Sequence, residues 1–348
     1  MEFNVYKVYH LIPYYGIGGV ETAAQTMTRI SDGGVEFCVQ SIFSTGTAKN
    51  TWVTICPLSF FPALLRVWRA APQLLIVSLW RSCIVGVLLK VFRPSMRLVL
   101  LLHYPNDVHI LDRFFTRLAA RLSCRVWADS HETLEQRLPK LQVAQSDVIS
   151  FVTSRVEALP IKAVQPTFVF WGRIHMQKGL PRALHIFAAV HAQVPEARFF
   201  VIGPDGGELA HLRVIASSLD LGDSVQFLGP MDFAGIRRVA AEASFYLQTS
   251  ELEGMAMSVV EAMQLGLVPV VAPVGEIAHY ARHRENAIFV MDDSAAVGDV
   301  LALLIDDARY AVMRQGAVAT WVNRPLYKDS MLAACREALG IDKETAAT

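Results

Sequence analysis

Two glutamates, Glu253 and Glu261, stand eight positions apart in the last third of the chain. Glu253 precedes a glycine and falls in a loop, whereas Ala256–Leu265 has the apolar spacing and the residue types of a helix. A carboxylate at the mouth of a helix and a second one two turns inside can contact two ends of one polar ligand, and the amides of Met255 to Met257 can meet an anion. The pattern indicates a ligand whose hydroxyls flank a phosphate. The alternative is a solvated helix with two unrelated acids.

Short apolar segments on both sides of this region predict strands. Phe245–Gln248 comes before it and Val268–Ala272 after it, and Gly266 ends the helix between them. Strand, helix and strand form one βαβ unit, so the loop that contains Glu253 lies at the carboxyl end of a parallel strand. Open α/β sheets bind their ligands at that edge.

A basic pair follows another predicted strand, Thr167–Trp171. The strand leads into Gly172 and Arg173, and Lys178 comes five residues later, just before an apolar helix that begins at Leu180. An Arg and a Lys at such a turn can neutralise a pyrophosphate, Arg through its planar fork and Lys as a point charge. Positive residues are common near helix starts, so the pair is specific only together with the acids downstream.

A glycine-rich turn follows the first predicted strand, Val8–Ile12, and leads into a helix predicted from Thr22 to Ile30. Gly18 and Gly19 in this turn let backbone amides approach a phosphate, and the helix start adds a favourable dipole. The glycine spacing does not match a dinucleotide-binding fingerprint. As an isolated feature, such a turn is more often structural.

His103 directly follows the apolar strand Arg97–Leu102. A histidine at the carboxyl end of a strand can meet a substrate, and its proton affinity suits hydrogen bonding near neutral pH. A buried structural histidine is the alternative. The candidates His10, His109, His131 and His175 share no metal-ligand spacing, and no Asp-x-Asp triplet is present, so we expect no metal site and no cofactor.

Together these segments resemble the nucleotide-sugar site of the retaining GT-B glycosyltransferases, the family with two glutamates eight positions apart that includes bacterial mannosyl-, glucosyl- and N-acetylglucosaminyltransferases. The resemblance covers most of residues 160 to 295 and the N-terminal half in outline. It implies that Glu253 contacts hydroxyls of the donor sugar, that Glu261 holds the ribose, and that Arg173 and Lys178 bind the pyrophosphate.

The resemblance also implies further contacts to the donor. The remaining donor-binding candidates are glycines and helix-start residues: Gly18, Gly19, Gly172, Gly203, Gly254, Met255 and Ala256. His103 would lie beside the donor sugar. Two departures stand out: Tyr104 follows His103 where the family often has an Asp, and Glu276 occupies the place of a common glycine. A carboxylate there could repel the donor phosphate or select a particular sugar.

The fold class that follows is α/β, a GT-B protein with two Rossmann-like domains facing an interdomain cleft. We expect an acceptor domain in residues 1–159, a nucleotide-sugar donor domain in 160–325, and a C-terminal helix, Tyr327–Leu339, in 326–348 that packs back on the first domain. A chain of 348 residues is long enough for two such cores.

The expected activity is transfer of a hexose-type sugar, with retained anomeric configuration, from a nucleoside diphosphate sugar to a glycan or lipid-linked glycan of a bacterial envelope polysaccharide. In the family a front-face substitution is the usual proposal, so no protein nucleophile is required. The alternatives are a GT-B nucleotide-sugar epimerase and a non-catalytic glycosyltransferase-like subunit.

Composition constrains partners and location. The formal net charge is zero, so no nucleic-acid partner is indicated. Five scattered cysteines and no recognisable signal peptide favour a cytoplasmic protein. The apolar region from Leu74 to Phe92 contains Arg81 and Lys90, and we expect it to be the strand Leu74–Leu79 and the helix Cys83–Phe92 rather than a membrane span.

Three arginines recur every fourth residue, Arg113, Arg117 and Arg121, beside apolar residues of one predicted helix. Such a helix can pack on the core with a solvated basic face, which is the more common case. It can also make a reversible contact with anionic lipid, which would place the protein peripherally on the inner face of the cell membrane.

Overall fold

The structure of the protein, a computed structural model, describes residues 5–14, 23–43, 56–141, 143 and 145–341. Within these residues the strands form a seven-stranded and a six-stranded sheet. The chain divides into two compact units: residues 1–154 with 325–348, and residues 155–324. Each unit contains one of the sheets.

The strands of the first sheet are mostly apolar and buried, as expected for parallel strands covered on both faces. They are β1 (Tyr6–Ile12), β2 (Ile30–Asp32), β3 (Val35–Ser41), β4 (Leu74–Ser78), β5 (Arg97–Leu102), β6 (Arg125–Ala128) and β7 (Ser146–Val148). Their order in the sheet is β2-β3-β1-β4-β5-β6-β7. The edge strand β2 pairs with β3 in the antiparallel direction, and the other pairs are parallel.

The second sheet is parallel throughout. Its strands are β8 (Thr167–Trp171), β9 (Arg198–Ile202), β10 (Val225–Gly229), β11 (Phe245–Gln248), β12 (Val268–Val271) and β13 (Ile288–Phe289). The order β10-β9-β8-β11-β12-β13 is that of a Rossmann fold.

Helices connect the strands in both units. Those of the first unit are α1 (Phe61–Ala70), α2 (Leu79–Phe92), α3 (Ile110–Leu122) and α4 (His131–Leu141). Those of the second unit are α5 (Leu180–His191), α6 (Leu209–Ser218), α7 (Phe233–Ala240), α8 (Met257–Leu265), α9 (Ile277–Tyr280), α10 (Asp293–Leu304) and α11 (Asp307–Val322). The last helix, α12 (Tyr327–Leu339), belongs to the first unit.

Helix α12 is held on the first sheet by side-chain and backbone contacts. The Tyr327 amide donates to the Val152 carbonyl (2.7 Å), and Arg97 donates to the carbonyl of Ala338. Arg125 forms an ion pair with Glu337 (2.7 Å). The terminal helix therefore completes the unit that the first half of the chain begins.

The predicted α/β class is confirmed, and several predicted strands have the observed bounds. The helix predicted from Thr22 to Ile30 is wrong in its second half, because Arg29 has a left-handed backbone (φ 56°) and the chain then enters β2. The predicted helix Cys83–Phe92 begins earlier, at Leu79, directly after β4. None of the described helices has the length and apolar character needed to cross a membrane.

Candidate functional site

The strand order of the second sheet reverses direction between β8 and β11, and open α/β sheets bind ligands at such a switch point. The turn with Arg173 and Lys178 follows β8, and the loop with Glu253 follows β11. Two hydrogen bonds join them: the Glu251 amide donates to the Gln177 carbonyl (3.1 Å), and the Thr249 hydroxyl donates to the Gly179 carbonyl (2.6 Å). The sheet thus brings the predicted basic and acidic segments together.

Gly179 makes this close approach possible. Its backbone is left-handed (φ 64°), and a Cβ atom there would lie 2.0 Å from the carbonyl oxygen of Thr249. Only glycine fits a position that is both left-handed and this close to another backbone. The residue also ends the short 3-10 turn Met176–Lys178 and precedes α5.

The Glu253 carboxylate is the centre of a buried hydrogen-bonded cluster. Its Oε1 accepts from Lys178 Nζ (2.7 Å), from Gln248 Nε2 (2.8 Å) and from Ser250 Oγ (2.7 Å). The Glu253 side chain is 7% exposed and that of Lys178 is 20% exposed. A buried charge is tolerated when it is paired and hydrogen-bonded, so these three donors hold the carboxylate in one position.

Gln248 is itself oriented by its neighbours. Its Oε1 accepts from the hydroxyls of Tyr246 (2.7 Å) and Ser258 (3.2 Å), which leaves its amide nitrogen facing Glu253. Burial raises the pKa of Tyr246 well above its ordinary value, and the carboxylates of Glu253 and Glu261 raise it further. The hydroxyl of Tyr246 therefore keeps its proton near neutral pH and can donate a hydrogen bond.

Glu261 lies on α8 and binds a residue of β8. The indole Nε1 of Trp171 donates to its Oε2 (2.8 Å). Burial raises the pKa of Glu261, and the hydrogen bond from Trp171 lowers it by less. Both glutamates are thus held inside the unit, which contradicts the alternative of two solvated acids.

The loop between the two glutamates ends in a strained residue. Ala256 has a left-handed backbone (φ 54°) and precedes α8, which begins at Met257. Such strain in a residue other than glycine persists only where its surroundings enforce it, and it is common at functional sites. Here the Gly254 carbonyl accepts from the Glu276 amide (3.1 Å) and the Met255 carbonyl accepts from the Tyr280 hydroxyl (3.3 Å). Glu276, the departure from the family pattern, is buried beside this loop.

Arg173 differs from Lys178 in its surroundings. Its side chain is exposed and makes no hydrogen bond or ion pair with any residue that the structure describes. The neighbouring glycines, Gly172 and Gly203, both have positive φ angles, and a Cβ atom on Gly203 would lie 1.8 Å from the Gly172 carbonyl oxygen. The ends of β8 and β9 therefore lie close together. The guanidinium of Arg173, beside them, is available for a ligand.

The remaining predicted residues belong to the first unit. Gly18 and Gly19 lie outside the described residues. His103 has both ring nitrogens engaged, Nδ1 with Asp129 (3.1 Å) and Nε2 with Ser78 (3.0 Å), and its side chain is 1% exposed. It borders a cavity of about 160 Å³ at the carboxyl ends of β1, β4 and β5.

Sequence reasoning missed the residues that hold the two glutamates. It assigned Lys178 and Glu253 to different parts of a ligand and did not expect their ion pair, and it gave Trp171 and Gln248 no role. One signal was available for Gln248, because the apolar run of β11 ends in three consecutive polar residues, Gln248 to Ser250.

Two Rossmann-like units are the architecture of the GT-B fold, and solved structures agree. Anabaena Alr3699/HepE in complex with UDP superposes with a TM-score of 0.76 at 17% identity, covering 96% of this chain and 100% of that chain. Sucrose-phosphate synthase from Thermosynechococcus elongatus gives 0.74 at 15% identity, covering 97% and 100%. The predicted GT-B fold is confirmed.

Residues 149–318 match the family described as Glycosyl transferases group 1. A GDP-mannose:cellobiosyl-diphosphopolyprenol alpha-mannosyltransferase of Xanthomonas oryzae pv. oryzae is 26% identical over 183 residues, 51% of this chain and 48% of the relative. The phosphatidylinositol N-acetylglucosaminyltransferase gpi3 subunit of Schizosaccharomyces pombe is 27% identical over 141 residues, 40% and 30% of the two chains. The chain thus spans about half or less of the length of these curated relatives.

Proposed function

We propose that the protein is a retaining glycosyltransferase that moves a hexose-type sugar from a nucleoside diphosphate sugar to a hydroxyl acceptor. The observation that carries this proposal is the buried Lys178–Glu253 cluster beside Glu261 at the switch point of the second sheet. We assign Glu253 to the sugar hydroxyls and Glu261 to the ribose, while residues 155–324 form the donor-binding unit.

Two cations serve the departing diphosphate. Arg173 is exposed and has no partner among the described residues, so its guanidinium can bind a phosphate in two-pronged fashion. Lys178 Nζ contacts Glu253, and we assign its positive charge to the phosphate that carries the sugar held by that carboxylate. Negative charge develops on the leaving diphosphate in the transition state, and fixed positive groups stabilise it there.

Backbone groups complete the proposed donor site. We assign the start of α8 to the pyrophosphate, because its first amides have no partner inside the helix and its dipole favours an anion. The donor-facing backbone positions are Gly172, Gly203, Gly254, Met255, Ala256 and, in the first unit, Gly18 and Gly19. His103 would contact the sugar through Nε2 once a sugar hydroxyl replaces that of Ser78.

For the acceptor we propose a glycan or a lipid-linked glycan, taken up by the first unit. Relatives named for transfer to a diphosphopolyprenol-linked glycan and to phosphatidylinositol support a lipid-linked acceptor. An apolar groove of about 480 Å³ in the first unit also supports it, with side chains of α2 and α3 in its wall. We accordingly place the protein in the cytoplasm, in reversible contact with the inner face of the membrane.

Donor binding and product stereochemistry test this function. A thermal-shift screen with UDP, GDP, ADP and their sugars should raise the melting temperature for one nucleotide class, because a ligand that binds the fold stabilises it. With that donor and a hydroxyl acceptor, proton NMR of the first product should show the anomeric configuration of the donor sugar. Stabilisation without turnover would favour a non-catalytic role in a complex, and an inverted product would overturn retention.

A further inference from the structure

Four buried polar side chains form a hydrogen-bonded row across neighbouring strands of the first sheet. His10 lies in β1, Ser78 ends β4, and His103 and Asp129 follow β5 and β6. Ser78 Oγ is 2.7 Å from His10 Nε2 and 3.0 Å from His103 Nε2. His103 Nδ1 is 3.1 Å from Asp129 Oδ2. The strands β1, β4, β5 and β6 are consecutive in the sheet, so the row crosses it from strand to strand.

The chemistry of these groups fixes the direction of the hydrogen bonds. A carboxylate accepts only, so His103 must carry its proton on Nδ1 and donate it to Asp129. When the ring has a single proton, Nε2 is a lone pair, and the Ser78 hydroxyl donates to it. Because that hydroxyl has one proton, the oxygen of Ser78 must accept from His10, which therefore carries its proton on Nε2.

The surroundings of His10 agree with this direction. Burial, with a smaller contribution from His103, lowers the pKa of His10 to about 3, so its ring is neutral and has a single N–H. Its Nδ1 is buried without a partner among the described residues. If His10 carries its proton on Nε2, as inferred above, Nδ1 is a buried acceptor without a donor. If the proton were on Nδ1, that atom would be a buried N–H donor without an acceptor, which is rarer in proteins.

We propose that Ser78, Asp129 and His10 are positioning residues that fix the tautomer and the ring plane of His103. The consequence for transfer, which rests on the proposed function, is specific: a sugar hydroxyl that replaces the Ser78 hydroxyl can donate to Nε2 of His103, whereas a phosphate oxygen there would find no donor. The connectivity Ser78, His103, Asp129 also occurs in hydrolytic triads. Ser78 is 0% exposed and its oxygen accepts from His10, so no substrate carbonyl reaches it.

The row is tested first in the unmodified protein. Nitrogen-15 NMR of histidine-labelled protein above neutral pH distinguishes the two tautomers of each ring, with signals assigned from His10→Gln and His103→Gln variants. We expect the Nδ1–H form for His103 and the Nε2–H form for His10. Any other pair of tautomers overturns the proposal.

Variants test whether the row acts as one unit. The amide of Asp129→Asn can donate to Nδ1, so it should turn His103 to the Nε2–H form, reverse the Ser78 hydroxyl and turn His10 to the Nδ1–H form. In Ser78→Ala with Asp129→Asn, His10 should no longer respond. Ser82→Ala is the matched control, because Ser82 is a buried serine on α2 whose hydroxyl has no partner among the described residues. If Asp129→Asn leaves the tautomer of His10 unchanged, the four side chains do not act as one unit and the proposal is wrong.

The rate of sugar transfer tests separately whether the tautomer of His103 matters for the reaction. Asp129→Asn should lower kcat about 100-fold, as expected when a histidine has the wrong tautomer, with little change in the KM of the donor. Ser82→Ala should keep kcat. A kcat that survives a demonstrated tautomer change refutes the positioning role, whereas absence of transfer by the unmodified protein refutes the proposed function and leaves the NMR result standing.

Discussion

Arg173 and Lys178 are both proposed to bind the diphosphate, but their replacement should have different effects on the fold. Either change to Ala should lower turnover about 100-fold or more, because each removes a charge from the leaving group. Lys178→Ala also leaves the buried Glu253 without its cation, and we expect a lower melting temperature. Arg173→Ala should melt like the unmodified protein, since Arg173 has no partner among the described residues.

Steady-state kinetics and thermal unfolding of the two variants check this pair. Arg198, an exposed arginine at the start of β9, provides a matched control, because Arg198→Ala removes a charge away from the switch point. Near-normal transfer rates in both Arg173→Ala and Lys178→Ala would show that the diphosphate lies elsewhere.

The two glutamates should divide the donor between them. Glu261→Gln should weaken binding of the bare nucleoside diphosphate by roughly 1–3 kcal/mol, because a ribose hydroxyl loses an ionised acceptor. Glu253→Gln should leave that affinity nearly unchanged and lower sugar transfer. Titration calorimetry with the bare diphosphate decides between them, and equal losses in both variants would refute the division.

Glu261 should also make stability depend on pH in a defined direction. Its pKa is raised by burial, so between the ordinary glutamate value of about 4.3 and the raised value the unfolded chain is ionised while the folded protein keeps the proton. The free energy of unfolding, relative to Glu261→Gln, should fall as pH rises through that window and stay level above it. Urea unfolding at several pH values measures the difference; an increase with pH would contradict the assignment.

At the residue scale, the sequence predicted which acids and cations gather and missed how they are held. The spacing of Glu253 and Glu261 and the order of strands were enough to place Glu253 near Lys178. Gln248 precedes Glu253 by only 5 residues, but the fold of the loop after β11 decides which way its amide faces. Trp171, the donor to Glu261, lies 90 residues before it, and its contact follows from the register of neighbouring strands. No local pattern encodes that register.

At the scale of elements, Gly179 joins the turn after β8 to the loop after β11. Gly179→Ala places a Cβ atom 2.0 Å from the Thr249 carbonyl oxygen in a left-handed backbone. We expect a loss of roughly 1–3 kcal/mol in stability and a large loss of transfer, because the loop that positions Glu253 must move. Urea unfolding and initial rates measure the two effects.

Gly222→Ala is the matched control for this change. Gly222 is in the same unit and also has a positive φ (45°), but a Cβ atom there meets nothing within 4 Å. Gly222→Ala should lose only the stability that a left-handed backbone costs an alanine, and it should keep its transfer rate. If both variants lost the same stability and activity, the close approach would have no role of its own.

The elements themselves were predicted best where periodicity and end signals agree. Strands β5, β8 and β11 and the helix α12 have the predicted bounds, because apolar runs end there in glycine or polar residues. The helix expected up to Ile30 fails where Ile30 instead pairs with Phe37 in the antiparallel edge of the sheet. Tertiary pairing overrides local helix propensity there.

At the scale of the whole molecule, we predict reversible attachment to anionic membranes through α3. The arginines Arg113, Arg117 and Arg121 lie beside the exposed Phe114, and each basic side chain near an anionic surface contributes about 1 kcal/mol. The protein should sediment with anionic vesicles at low salt, and less at high salt or with neutral vesicles. Changing the three arginines to Glu should abolish sedimentation.

A set of exposed arginines in the second unit, Arg213, Arg282 and Arg309, is the charge-matched control, and its change to Glu should leave vesicle binding intact. Sedimentation that ignores lipid charge and salt, or that is absent with several anionic compositions, would mean that α3 is an ordinary packing helix and that the acceptor is not presented by a membrane.

The return of α12 to the first unit has a consequence for how the protein is made. The chain leaves the first unit at residue 154, builds the whole second unit and rejoins the first at residue 325. A ribosome must therefore finish the second unit before it supplies the helix that binds Arg97 and Arg125. During translation that face of the first unit lacks its helix, and chaperones that bind nascent chains can bind there. A truncated chain that ends at residue 324 should have a second unit that resists protease and a first unit that is cleaved more readily.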